Sequence, residues 1–441
     1  MSTDADLLIS AGWVVPIEPA GIAWPDHAVL VRDQRIAAIG PRAMLAAQFA
    51  SATTIDLPGQ ILMPGLVNAH THAAMTLMRG FADDLPLMQW LEQKIWPAEA
   101  KHVDPDFVYD GTLAAAYEMI AGGVTCANDM YFYPRSAAQA FLDSGMRAAI
   151  GLIAIEFPTR YASGPDDYLA KGLAVRDQLR GGLSDDRLSF CLAPHAPYTV
   201  SDATFRGIVT IAEELDLPIH CHVHETRDEV ERGIAKHGMR PLERLRTLGV
   251  VSPRLIAVHG VHLDSADVAL LAEHGASVVH CPSSNLKLAN GVAPISALLA
   301  SGINIALGTD GAASNNRLDV FGEMRLAALL AKAHPHDAQA FPAAAALHAA
   351  TLGGARALGL DGQIGSIVLG KAADLIAVDL RAAALQPCYD PISHLVYACG
   401  REHVSHVWIA GKERLREGAL VGASTERLAS RIYMWHNRLA N

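Results

Sequence analysis

Cysteine is scarce: six residues in 441, with no Cys-x-x-Cys pair. That excludes a disulfide frame or a zinc ribbon and suits reduced cytosolic thiols. Runs of lysine or arginine are also missing, and the formal net charge is −11. Nucleic acid and anionic membrane surfaces are therefore poor partners. No apolar stretch approaches the roughly 18 residues of a spanning helix. The opening residues lack the basic-then-apolar profile of a signal peptide, so the expected compartment is the cytoplasm. Charged residues reach only 18% against 51% hydrophobic, which argues against disorder, coiled coil and collagen. Internal repeats and low-complexity linkers are absent. One residue type is abundant: the chain has 20 histidines, and where they fall decides the reading.

The length allows roughly two to four domains, or one large barrel with an attached module. Up to about residue 64 the texture is β-rich, in Leu7–Val15, Ala28–Ile39 and Thr53–Leu57, broken by Gly, Pro and Asp. Beyond Pro64-Gly65, short apolar runs alternate with longer amphipathic stretches. The runs predict strands at Leu62–Asn68, Val124–Asp129, Ala148–Ile155, Leu188–Ala193, Pro218–His222, Leu255–His259, Ser277–Cys281 and Ile303–Thr309. Helices are expected between them, among others at Pro105–Ala121, Ser201–Leu215, Arg240–Leu248, Ser265–His274 and Asp319–Lys332. Buried strands alternating with helices predict a parallel (β/α)8 TIM barrel. A doubly wound sheet would need a Gly-rich phosphate loop after its first strand, and none is present. Strand texture returns in Gly365–Leu369, Ala373–Val378 and Val404–Ala410, before a terminal helix at Ser424–Leu439. Both ends are expected to build one small β-sandwich. The expected organisation is 1–64 for its N-terminal part, 65–361 for the barrel, and 362–441 for its C-terminal part with the terminal helix.

The histidines gather at the predicted strand ends. The first strand runs into His70-Thr71-His72, the fifth into His220-Cys221-His222-Val223-His224-Glu225, the sixth into His259-Gly260-Val261-His262, and the eighth into Thr309-Asp310. Side chains two apart on a strand share a side, so His70 and His72 can grip one ion together. The C-terminal ends of barrel strands meet at one mouth. Imidazoles and a carboxylate there suit Zn2+ ahead of Fe2+ or Mn2+. Strand alternation alone does not choose among His220, His222 and His224.

The segment Pro64–His72, the downstream Gly308-Thr309-Asp310 and the tail Gly365–Leu375 resemble the amidohydrolase superfamily over nearly the whole chain. Four further motifs, Ile95–Glu99, Pro194–Val200, Asn285–Gly291 and Thr309–Asn316, resemble its 5-methylthioadenosine/S-adenosylhomocysteine deaminase family. The resemblance implies one Zn2+ per subunit held by His70, His72, His222 and Asp310. The family's His-x-x-Glu fits only His222 with Glu225, and no lysine ends the fourth strand, where binuclear relatives carry a second bridging ligand.

The implied chemistry is attack of metal-activated water on C6 of an adenine ring. Glu225 would protonate N1, Asp310 would carry the water's proton to the departing ammonia, and His259 would orient the attacking oxygen. By the same resemblance Glu99 accepts the ribose hydroxyls and His195 contacts the nucleoside, with Glu225 and Asp310 also facing the substrate. Trp90, Trp96, Met75 and Met78 either line a pocket for a thioether or pack the core. The expected activity is deamination of 5′-methylthioadenosine, extending to S-adenosylhomocysteine and adenosine. Arginines that hold the homocysteine carboxylate in some relatives are absent before Arg160. The alternatives are a guanine or other purine deaminase, a triazine chlorohydrolase, or a non-catalytic assembly protein on a degenerate barrel. Expected partners are the small nucleoside substrate and further copies of the chain.

Overall fold

The computed structural model describes residues 6–182, 186–333 and 336–440. The N-terminal strands are β1 (Leu7–Val14), β2 (Trp24–Arg32), β3 (Arg35–Pro41) and β4 (Thr53–Pro64). The β-rich stretch Ala28–Ile39 is thus parts of two strands joined in a hairpin. Asp33 and Gln34 both take positive φ, 49° and 68°. This is the conformation of a tight I′ turn, which Asn-Gly would have announced and Asp-Gln does not.

Eight strands follow: β5 (Leu66–Thr71), β6 (Val124–Tyr131), β7 (Arg147–Ala154), β8 (Leu188–Pro194), β9 (Ile219–Val223), β10 (Leu255–His259), β11 (Ser277–His280) and β12 (Asn304–Leu307). They hydrogen-bond in chain order. The Asp310 amide then donates to the His70 carbonyl at 3.0 Å, bringing the exit of the eighth strand back to the first. The result is the parallel (β/α)8 barrel. Every residue of β6 and β7 is buried, which explains why these runs lack the apolar-polar alternation of a half-exposed strand; their polar members Thr125, Asn128, Asp129 and Arg147 are buried with the rest. Several helices between the strands start on side-chain caps. Ser201 accepts from the Thr204 amide, Thr226 from Glu229, and Asp264 forms a capping box with Asp267.

The first barrel strand begins later than its sequence suggests. Leu62–Pro64 ends β4, and the chain changes sheets at Gly65. A Cβ there would meet the Thr125 hydroxyl at 2.1 Å, so only glycine fits the crossing.

The tail adds β13 (Leu375–Asp379), β14 (Val404–Ile409), β15 (Lys412–Arg416) and β16 (Ala419–Leu420). Both chain ends join one mixed sheet of order β16-β15-β14-β13-β4-β1-β2-β3. One face closes on Ile9, Val29, Leu62, Leu375 and Trp408; Leu8 and Leu30 on the other meet Leu45 of the helix Arg42–Gln48. Gly365–Leu369 is an irregular loop rather than a strand, with Gly365 and Gly370 in left-handed conformation. Its Ile367 still packs in the sheet's core.

The chain divides into two compact units. One comprises Met1–Asn68, Tyr117–Cys126 and Asp319–Ala423; the other comprises Ala69–Ala116, Ala127–Leu318 and Ser424–Asn441. Among the described residues no helix is long and apolar enough to cross a membrane.

The terminal helix Thr425–Leu439 belongs to the second unit. Its Trp435 is 1% exposed, stacks edge-on against Phe107 at 5.1 Å, and donates its indole N–H to the buried Asp110 at 2.7 Å. Arg431 binds the other oxygen of Asp110 at 2.5 Å. Trp435→Ala empties that site and strands one oxygen of a buried carboxylate, so about 3–5 kcal/mol of stability should be lost. Denaturant melts of the two proteins check this, and a loss below about 1 kcal/mol would mean that the helix is not anchored there.

Candidate active site

The strand exits converge as their composition suggested. His70, on β5, is fully buried. Its Nε2 lies 3.2 Å from Asp310 Oδ1 and 3.3 Å from His222 Nε2. His72, one residue past the strand, places its own Nε2 3.2 Å from the same Asp310 oxygen. The donor atoms of His70, His72 and Asp310 lie within 4.8 Å of one another, as do those of His70, His222 and His259.

The far side of each ring explains its aim. His72 Nδ1–H donates to the Met130 carbonyl at 2.5 Å, and His222 Nδ1–H to the His195 carbonyl at 2.6 Å. Both Nε2 lone pairs are thereby turned inward. Burial drives His70 down to about 4 and His222 well below the ordinary imidazole range, which favours the neutral form that ligates metal. Burial pulls His72 in the same direction, but its contact with Asp310 prevails and raises it to about 9. Burial also opposes ionisation of Asp310, yet His70 and His72 hold it well below the usual carboxylate range. Two imidazole nitrogens face one oxygen of Asp310, and His222 joins them through its approach to His70; the donors make a borderline-soft set of the kind that suits Zn2+.

Three residues at strand exits pay for this arrangement in backbone strain. His224, His259 and Asp310 have φ of 52°, 72° and 60°, each costing roughly 1–3 kcal/mol. The turn at His224 directs its ring away from the cluster. Its Nε2 accepts the Leu242 amide at 3.1 Å and its Nδ1 lies 3.3 Å from Asp267. His220 instead meets His70, Nε2 to Nδ1, at 2.9 Å. Of the three histidines around β9, His222 alone combines a carbonyl-anchored Nδ1 with an Nε2 facing the cluster.

Glu225 is buried beside the cluster, its Oε2 3.8 Å from His259 Nε2. Burial, aided by Asp310 and Glu229, pushes its carboxyl up to about 7. Such a group is about half protonated at neutral pH, so a proton donor is available there. His259 Nδ1 is fixed by Asn285 Oδ1 at 2.9 Å.

A largely apolar cavity opens over these groups. Its walls include His72, His195, His222, Glu225, His259 and Asp310, with Glu99, Met75, Trp90, Trp96, Tyr131 and Arg160. Met78 is not among the lining residues and is fully buried; for it the packing alternative holds. Glu99 sits just past a π-helical turn, Leu91–Ile95. That turn widens the helix immediately before Pro97, whose ring cannot accept regular α geometry. Burial lifts Glu99 to about 7, while the Tyr131 hydroxyl donates to its Oε1 at 2.7 Å. His195 Nδ1 pairs with the Thr199 hydroxyl at 3.0 Å, and burial lowers its pKa to about 3.

The Amidohydrolase family model matches residues 61–414. The chain belongs to the amidohydrolase family. A shorter match, to an imidazolonepropionase-like composite domain of bacteria, covers residues 28–52. The 5-methylthioadenosine/S-adenosylhomocysteine deaminase of Saccharophagus degradans is 46% identical over 99% of this chain and 97% of the relative. A crystal structure of an adenosine deaminase from Xanthomonas campestris, with bound zinc, superposes with a TM-score of 0.97 at 51% identity, covering 99% of each chain. Atrazine chlorohydrolase from Arthrobacter aurescens TC1 gives a TM-score of 0.88 at 24% identity, over 98% of this chain and 100% of that one; this likeness concerns the fold.

Several residues of this amidohydrolase site carried no legible signal. Ser284 and Ser314 donate to Asp310 Oδ2 at 2.6 and 2.8 Å, and the Gly311 amide donates to Oδ1 at 2.8 Å. Asn290 donates to Glu225 Oε1 at 3.0 Å. Glu229 accepts the backbone amides of His224 and Glu225 at 2.9 and 2.8 Å, clamping the loop that carries Glu225. Asn285, Asn290 and Ser314 lie inside motifs visible in the sequence. Glu229 reads there only as the fourth residue of a Thr-x-x-Glu helix start, and Ser284 and Tyr131 as ordinary polar residues.

Proposed function

We propose that this chain is a zinc-dependent aminohydrolase that converts 5′-methylthioadenosine to its inosine analogue and ammonia, with S-adenosylhomocysteine and adenosine as further substrates. The observation carrying this reading is the position of Glu225. A carboxyl that burial raises to about 7 stands beside the clustered histidines and Asp310, lining an apolar cavity with Glu99 in its wall. Full-length similarity to a deaminase of that name, and to a zinc-bound adenosine deaminase, supports it.

His70, His72, His222 and Asp310 are the proposed ligands of a single ion. Bound there, zinc supplies the Lewis acidity that makes water nucleophilic near neutral pH. Glu225 gives its proton to ring nitrogen N1 as C6 is attacked, so that negative charge does not build on the ring. Asp310 takes the water's proton and delivers it to the departing ammonia; the hydroxyls of Ser284 and Ser314 keep its carboxylate in place. His259, held by Asn285, orients the attacking oxygen. Glu99 offers the ribose hydroxyls its Oε2, since Oε1 is engaged by Tyr131, and His195 contacts the nucleoside from across the cavity. Met75, Trp90 and Trp96 give the thioether a sulfur-tolerant wall. Arg160 stands at the same cavity and donates to the Lys101 carbonyl at 3.2 Å, a cation available to a homocysteine carboxylate.

The division proposed for the chain is the barrel at 65–361, carrying every one of these residues, and a β-domain from 1–64 and 362–441, except that the terminal helix of that tail lies in the same compact unit as most of the barrel. Its six cysteines are all free thiols, in keeping with a cytoplasmic enzyme. Self-association is proposed with it, and mass measurement in solution tests that.

Ammonia release from a panel of purines, nucleosides and triazines tests the activity. Turnover should be fastest on methylthioadenosine, and preference for a triazine or for guanine would replace the assignment. Metal analysis of the purified protein should return about one zinc per chain. Two tightly held equivalents, or activity in protein stripped of metal, would defeat the single-ion reading.

A further inference from the structure

Three histidines stand two apart in Ile219–Glu225, and the proposed chemistry uses only His222. His224 is explained by Leu242 and Asp267. His220 remains. It is fully buried, and its only hydrogen-bonded protein partner among the described residues is His70, ring against ring at 4.9 Å and 77°.

One proton lies between His70 Nδ1 and His220 Nε2, which are 2.9 Å apart. The opposite nitrogen of His70 faces Asp310 Oδ1 at 3.2 Å and His222 Nε2 at 3.3 Å. For that Nε2 to offer a lone pair to a cation, the proton of His70 has to sit on Nδ1. Nδ1–H then donates to His220 Nε2, and His220 carries its own proton on Nδ1. The other two proposed ligand imidazoles, His72 and His222, anchor Nδ1–H on backbone carbonyls, those of Met130 and His195. A carbonyl accepts in every protonation state and cannot rotate away. Among the three proposed ligand histidines, His70 alone depends on a side chain for its orientation.

We propose that His220 is a positioning residue for the metal site, holding His70 in the Nδ1–H tautomer that presents Nε2 to zinc. This rests on the zinc reading above. Partners that orient a ligating histidine typically set metal affinity by 10–100-fold. With an apolar residue at 220, the His70 Nδ1–H would be left unpaired in a dry interior. The ring would then gain by turning, or by moving its proton to Nε2, and either change removes the lone pair from the cluster.

The test is competition between protein and a chromophoric chelator for zinc, in wild type, His220→Leu and His220→Gln. The leucine variant should bind zinc about 10–100-fold more weakly. Glutamine carries an amide oxygen where His220 has Nε2 and should keep affinity close to wild type. Equal affinity in wild type and His220→Leu overturns the inference while leaving the zinc reading intact. Equal losses in both variants overturn it too, because they report packing rather than the acceptor. Wild type that binds no zinc overturns the zinc reading, and the inference with it. A second measurement is independent of the variants' folding. Long-range 1H–15N spectra of histidine-labelled, zinc-loaded wild type should show His220 neutral and protonated at Nδ1; protonation at Nε2 would contradict the proposal.

Discussion

Glu225→Gln should keep the fold and the metal yet lower kcat at least roughly 10²-fold, within the 10²–10⁴ that a positioned acid or base usually contributes. The substitution is nearly isosteric. Asn290 can still donate to the side-chain oxygen it now meets at 3.0 Å, and the loop clamp by Glu229 uses only the backbone of residue 225. Lost is the ionisable proton that N1 must receive. The pH profile separates this from general damage. The wild-type carboxyl, pushed up to about 7 by burial, is active when protonated, so kcat should decline as pH rises through that value. Glutamine does not titrate, and the variant's residual kcat should lack that decline. Rates near wild type would show that N1 is protonated from elsewhere. Loss of zinc along with activity would show that Glu225 supports the site structurally.

The second large effect concerns the ribose. Methylthioadenosine should be deaminated at least roughly 10⁴-fold more efficiently than free adenine, because polar groups built to bind a hydroxyl are left unpaired when it is missing. Glu99 suits that role. It is withdrawn from water far enough for burial to raise its pKa to about 7, and Tyr131 occupies only one of its oxygens. Glu99→Ala should therefore lower kcat/KM for the nucleoside and hardly alter it for adenine, eroding the preference from one side. Steady-state kinetics on both substrates decide the matter. Parallel losses would mean that Glu99 supports the cavity wall, and an enzyme preferring adenine from the start would remove the nucleoside assignment.

The barrel and the clustering of its strand-end histidines with Asp310 were legible because both depend on local pattern. Strands buried on two faces lose the polar-apolar alternation of a half-exposed strand, and β6 and β7 are buried at every position. The ends of parallel strands must share a mouth, so histidines at several ends are brought together whatever the loops do. His70, His72, His222, His259 and Asp310 needed nothing more than this placement and a family resemblance. The hairpin at Asp33-Gln34 and the sheet change at Gly65 were not legible, since the first lacks the usual turn residues and the second depends on the closeness of Thr125. The roles around β9 also required three dimensions. Alternation puts His220, His222 and His224 on one side, and only the left-handed turn at His224 and the pairing of His220 with His70 separate them. The same holds for Ser284, Ser314, Asn290 and Glu229, whose partners lie on other loops or across a turn. A sequence states which groups can ligate or donate through their type and spacing. A hydrogen bond's partner is chosen by distances of about 3 Å, and those are settled only when the loops above the barrel pack.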